Sequence, residues 1–129
     1  MKNDQEQDGS WYGRWGVNYI YGTWSVLSGL RAIGEDLSSP YIRRAVSWVE
    51  SKQNPDGGWG ESCLSYGDVS QSGRGDSTPS QTAWALLALM AGGVTDSFSL
   101  ARGIHYLIRN QRKDGSWEEV RHTGTGFPR

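Results

Sequence analysis

Apolar residues along this chain recur at steps of three and four, the period of helices and not of strands. Val17, Ile20, Tyr21, Trp24 and Leu27 make the first stripe, with Gly34 as its stop. A second helix is predicted to open at "SSP", with Ser39 as N-cap and Pro40 in the first turn. Ile42, Ala45, Val46 and Val49 follow along one face. A third opens at "STPSQ", where Thr78 and Gln81 fit a capping box around Pro79, and Gly92 and Gly93 end it. The fourth follows Asp96 or Ser97 and aligns Leu100, Ile104, Leu107, Ile108 and Gln111.

The four stripes differ in their polar sides. The second helix carries Arg43, Arg44, Glu50 and Lys52, and the fourth carries Arg102 and Arg109, as surface helices do. The third, "TAWALLALMAGG", is apolar nearly all round, the pattern of a helix covered on both sides. The first is aromatic-rich with little charge. Buried and exposed helices therefore alternate, which predicts a ring or stack of helical hairpins with one layer inside and one outside. Trp15, Tyr19 and Trp24 are expected to be core.

A short motif punctuates this alternation three times. "QEQDGSW" spans Gln5 to Trp11, "QNPDGGW" spans Gln53 to Trp59, and "QRKDGSW" spans Gln111 to Trp117. The Trp-to-Trp spacings of 48 and 58 residues are the long periods of a hairpin repeat. Asp-Gly supplies a turn, because glycine accepts the positive φ that other residues resist. A Gln at a helix end can bond orphaned backbone groups, and a Trp can pack on a neighbouring helix. The expectation is that Gln5, Trp11, Gln53, Trp59, Gln111 and Trp117 are structural clamps between hairpins.

Composition narrows the choice of function. At 129 residues the chain has the size of one domain, and its formal charge of −1 mixes 13 basic with 14 acidic residues. That balance gives no basic field for nucleic acid. The longest nearly apolar run, Ala83–Val94, is too short to span a bilayer, and no signal peptide is recognisable. Cys63, the single cysteine, cannot form an internal disulfide, so the cytosol is the default compartment. Seven Trp, six Tyr and eighteen Gly are the unusual counts. So many aromatics should be buried or should line a cavity.

The full repeats read "RAVSWVESKQNPDGGW" (Arg44–Trp59) and "RGIHYLIRNQRKDGSW" (Arg102–Trp117). They resemble the QW repeat of the squalene–hopene and oxidosqualene cyclases. "DGSWYGRWGVNYIYGTW" (Asp8–Trp24), "STPSQTAWALLAL" (Ser77–Leu89) and "TGTGFP" (Thr123–Pro128) sharpen the likeness toward the bacterial squalene–hopene branch. The resemblance implies a segment of the C-terminal catalytic half of such an enzyme, one partial domain over residues 1–129, within an α/α barrel. It implies proton-initiated cyclisation of squalene, with no metal or organic cofactor. It further implies partnership with the rest of the cyclase chain, and a monotopic place on the cytoplasmic side of a membrane for the whole enzyme.

The same likeness assigns residues. Tyr21 in "YIYGT" and Trp84 in "TAWAL" match positions that line the family's substrate cavity. Lys52 stands where some hopene cyclases carry a His thought to support the catalytic acid; a solvated charge is the plainer reading. The family's proton donor, Asp-x-Asp-Asp, does not occur in this sequence. The segment alone is therefore expected to be inactive, and its uncovered apolar faces are expected to drive association.

Three rivals come from other directions. A zinc protein like the prenyltransferase β-subunits could draw on Glu61, Cys63 and His122, since carboxylate, thiolate and imidazole all bind zinc. An aromatic-rich binding module would be mainly β. A class II diterpene cyclase would share the proton-initiated chemistry. The Gly- and Ser-rich stretch Gly60–Asp76 has no residue-level role, and Glu61 and Cys63 stay unassigned within it.

Overall fold

The computed structural model describes residues 2–119. Four α-helices carry the fold: α1 (Tyr19–Ala32), α2 (Pro40–Ser51), α3 (Pro79–Ala91) and α4 (Phe98–Asn110). Three short 3-10 turns lie at Lys2–Asp4, Cys63–Tyr66 and Val69–Gln71. No strand occurs among the described residues, which removes the β-rich binding module.

α1 and α3 lie side by side and share the largest interface, while α2 and α4 pack against them from one side. Glu61 touches the first turn of α1 and, through Gln81, the first turn of α3. At the other end the Arg31 guanidinium of α1 donates to the Met90 carbonyl of α3 at 2.6 Å. The two inner helices therefore run parallel, and each is joined to an antiparallel outer helix. This is a two-layer segment of an α/α barrel.

The core lies between the layers. Ile20, Leu27 and Leu30 of α1, Ile42, Ala45 and Val49 of α2, and Ala85, Ala88 and Leu89 of α3 fill it, together with Trp11 and Trp59. The free face of the inner layer is only partly covered: Tyr21, Trp24 and Trp84 are half-buried, while Leu87 and Met90 are exposed. The expectation that α3 is covered on both sides thus fails among the described residues, because only one side has a partner layer.

Other sequence expectations need correction. α1 begins at Tyr19, after Asn18 breaks the helical backbone at φ −132° and ψ −79°, so Val17 belongs to the preceding loop. In α4 the buried side is Leu100, Gly103 and Tyr106, whereas Ile104 and Ile108 face outward and Gln111 lies beyond the helix. Apolar character marked two faces of that helix, and only one meets α3. Trp15 is not core: it is 59% exposed. The capping box at α3 is half realised. Thr78 Oγ1 accepts the Gln81 N–H at 3.1 Å and its hydroxyl donates to Gln81 Oε1 at 2.9 Å, but the Thr78 backbone N–H goes to the Trp59 carbonyl at 3.0 Å instead of to the Gln81 side chain.

Candidate functional site

Each QW turn is built the same way from its own residues. Asp8, Asp56 and Asp114 accept the N–H two positions on, at 2.9–3.0 Å. The glycines after them hold φ of 101°, 92° and 90°. Each Gln donates across its turn to the glycine carbonyl: Gln5 to Gly9 at 2.8 Å, Gln53 to Gly57 at 2.8 Å, and Gln111 to Gly115 at 2.9 Å.

The first two turns reach further. Gln5 Nε2 also donates to the Tyr41 carbonyl at 2.7 Å, and Gln53 Nε2 to the Ser99 carbonyl at 2.9 Å. Both acceptors are the second residue of an outer helix. Arg44 and Arg102, three residues further along, donate back to the Gln Oε1 at 2.6 and 3.4 Å. The Trp11 N–H bonds Thr23 Oγ1 of α1 at 3.0 Å, and the Trp59 N–H bonds Thr82 Oγ1 of α3 at 2.9 Å. The indoles of Trp59 and Trp117 donate to Val49 and Leu107 carbonyls at 2.7 and 2.8 Å. The second turn thereby touches an outer helix behind it and an inner and an outer helix ahead.

On the free face of the inner layer three aromatic rings meet. The Tyr21 ring lies edge-on to Trp84 with centroids 5.1 Å apart, and edge-on to Trp24 at 5.4 Å. Trp24 and Trp84 stack, 6.3 Å apart and 1° from parallel. Gly16 lies beneath this trio: a Cβ there would meet the Tyr21 ring at 2.7 Å and the Trp84 ring at 3.1 Å. The structure thus brings Tyr21 and Trp84 together and adds Trp24. The signal for Trp24 was available, since residues three apart share a helical face.

A second aromatic group braces the loop under the first. Tyr12 meets Tyr19 and Tyr66 edge-on, each at 5.8 Å. The Tyr66 hydroxyl donates to the Gly16 carbonyl at 3.2 Å. Burial pushes that phenol up to about 12, so it stays a neutral donor at physiological pH. Trp15 projects from the same loop.

The remaining sequence candidates lie elsewhere. Lys52 ends α2 on the outer layer, along a shallow groove with Asp8, Arg43, Arg44, Ser47 and Trp48, and the fold does not bring it to the aromatic trio. Glu61 is buried, and its Oε1 accepts the N–H groups of Asn18 and Ile20 at 2.9 and 3.0 Å. Cys63 is exposed on the first residue of its 3-10 turn. Groups of three metal-ligating side chains are absent among the described residues. His122 and the "TGTGFP" stretch lie outside those residues.

Comparison with known proteins adds four findings. A family model described as the squalene-hopene cyclase C-terminal domain matches residues 1–129. The chain is 59% identical over 128 residues to a squalene–hopene cyclase of Alicyclobacillus acidocaldarius, covering 99% of this chain and 20% of that one. It is 55% identical over 130 residues to a probable squalene–hopene cyclase of Sinorhizobium fredii, at 100% and 20%. Among solved structures, the type II terpene cyclase MstE from Scytonema matches with a TM-score of 0.69 and 27% identity, over 91% of this chain and 31% of that one. The chain spans about one-fifth of the length of the curated relatives it matches.

Proposed function

The chain belongs to the squalene-hopene cyclase C-terminal domain family, and on that premise we propose that its inner layer walls the chamber in which a triterpene cyclase folds and cyclises squalene. The observation that carries the reading is the trio of Tyr21, Trp24 and Trp84, converging on the uncovered face of two parallel inner helices.

Polyene cyclisation makes demands that such a wall meets. The flexible chain must be held folded, so that each double bond meets the growing cation in turn. Water must be excluded, and the cation must be stabilised by groups that will not trap it. An aromatic face does this through its quadrupole, worth about 2 kcal/mol or more when desolvated. The initial protonation of an alkene needs a strong preorganised acid. The Asp-x-Asp-Asp motif that supplies it in this family is not in the sequence, so the acid belongs to another part of the enzyme. On this reading the 129 residues by themselves carry no turnover.

The QW turns are the frame of that wall. Gln5 and Gln53 fasten one hairpin to the next, and Trp11 and Trp59 fill the seams. The third turn, Gln111–Trp117, would receive the next outer helix of the longer cyclase chain at the second amide hydrogen of Gln111, which makes no bond among the described residues. No helix among the described residues is long and apolar enough to cross a membrane. We assign the assembled enzyme to the cytoplasmic surface of a membrane, because squalene dissolves there and must enter the chamber from it.

The test is the product spectrum of a complete cyclase carrying this segment. Trp84→Ala and Tyr21→Ala should leave the protein folded and divert squalene to incompletely cyclised products. An unchanged product distribution in both variants would remove the chamber.

A further inference from the structure

Beyond Gln and Trp, the second and third turns share a carboxylate two residues after the indole: Trp59-Gly60-Glu61 and Trp117-Glu118-Glu119. Glu61 Oε1 accepts the N–H of Ile20, the second residue of α1, at 3.0 Å. Glu119 Oε1 accepts the N–H of Ser80, the second residue of α3, also at 3.0 Å. Each carboxylate thus reaches the same point of the inner helix that precedes its turn. The first N–H groups of a helix have no partner within it and carry its partial positive charge, so a carboxylate there is doubly favourable.

The two inner helices depend on this device unequally. α3 has caps of its own, with Thr78 Oγ1 on the Gln81 N–H and Pro79 in the first turn. α1 has none: the Asn18 side chain accepts from Gly13 N–H at 3.2 Å and donates to Ser65 Oγ at 3.2 Å, both away from the helix. Register between the helices also runs through Glu61. Its backbone N–H and carbonyl are both bonded by the Gln81 amide of α3, at 3.1 and 2.9 Å, and that amide holds the Val17 carbonyl at 3.1 Å.

We propose that Glu61 is the positioning residue of the aromatic wall: it fixes the start of α1, and so presents Tyr21 and Trp24 to Trp84. Its weight for catalysis rests on the chamber reading above, but its geometry can be tested without substrate.

The stacked Trp24–Trp84 pair should give an exciton couplet in the circular dichroism of the 129-residue chain, identified by its loss in Trp24→Phe. Glu61→Ala should lose most of that couplet while far-ultraviolet helix content stays. Glu61→Gln, which keeps an acceptor oxygen, should restore it, and Glu119→Ala should leave it intact because Thr78 still holds α3. A full couplet in Glu61→Ala, or an equal loss in Glu119→Ala, overturns the proposal. If Glu61→Ala does not fold, amide exchange on the parent and Glu61→Gln chains decides. Slow exchange at Asn18 and Ile20 in both supports the role, and fast exchange in either sinks it. Unchanged products from the Tyr21 and Trp84 variants would remove the chamber and leave this result standing, so the two ideas fail separately.

Discussion

The turns at Gln53–Trp59 and Gln111–Trp117 are close copies in sequence and in local geometry, yet they stand in different surroundings. Both close an Asp-Gly turn with positive φ, both send a Gln amide across it, and both anchor the indole N–H on a carbonyl of the helix behind. Trp59 is fully buried between α2, α3 and α4, whereas Trp117 is 39% exposed. Gln53 reaches the Ser99 carbonyl and is gripped by Arg102; among the described residues Gln111 has neither contact. The turn is therefore a local product of seven residues, and fastening is a property it gains only when a following hairpin packs on it.

The largest test of that difference is truncation of the two indoles. Trp59→Ala removes a fully buried side chain at the meeting of three helices, and a substitution of this kind typically costs about 3–5 kcal/mol. Trp117→Ala loses a half-covered ring and one hydrogen bond, for which about 1 kcal/mol is expected. Thermal or urea unfolding of the two variants measures the contrast. Equal losses would mean that the third turn already supports the fold as much as the second.

A smaller contrast separates the turn glycines. A Cβ on Gly57 would stand 2.6 Å from the Arg102 carbonyl oxygen of α4, while one on Gly115 would meet only the Gln111 amide, at 3.8 Å. Both positions share the cost of positive φ for a side-chain residue, about 1–2 kcal/mol. Only Gly57→Ala must also push a helix away. Gly57→Ala should lower the melting temperature clearly more than Gly115→Ala. A reversed order would show that the carbonyl of α4 is free to move.

The same contrast explains what the sequence discloses. Helix spacing, the Gly stops and the Asp-Gly turns are short-range features, and each was legible from neighbours within a few residues. Tyr21 and Trp84 were singled out through family resemblance, and their meeting depends on two helices brought side by side across sixty residues. Apolar character could not tell which neighbour would cover a face. Trp15, Ile104 and Ile108 look like core on the page and are exposed in the fold. Glu61 escaped because a lone buried carboxylate has no periodic signature. The available clue was its place two residues after an indole in two of the three turns. Thr23 and Thr82, which accept the Trp backbone N–H groups, were hidden among helix residues for the same reason.

The smallest predicted effect concerns the residue after the turn glycine, Ser116 in the third turn against Gly58 in the second. The Ser116 hydroxyl, and after it the Ser116 N–H, holds the Asp114 carboxyl below its ordinary value. A group depressed in this way contributes stability that is present above the unfolded carboxylate range and is lost as pH falls through the lower folded value. Because Asp114 is fully exposed, this contribution belongs to the turn and should leave global unfolding unmoved. Titration followed at the Asp114 carboxyl and the Ser116 amide should therefore show both changing together, below the usual aspartate value of about 3.9. Ser116→Gly gives the third motif the Asp-Gly-Gly-Trp ending of the second and removes the larger of the two bonds. It should move the Asp114 titration back up toward that value, with the melting temperature unchanged. If the titration stays where it was, the hydroxyl is not what depresses the carboxyl, and the turn does not owe its charge state to its own residues.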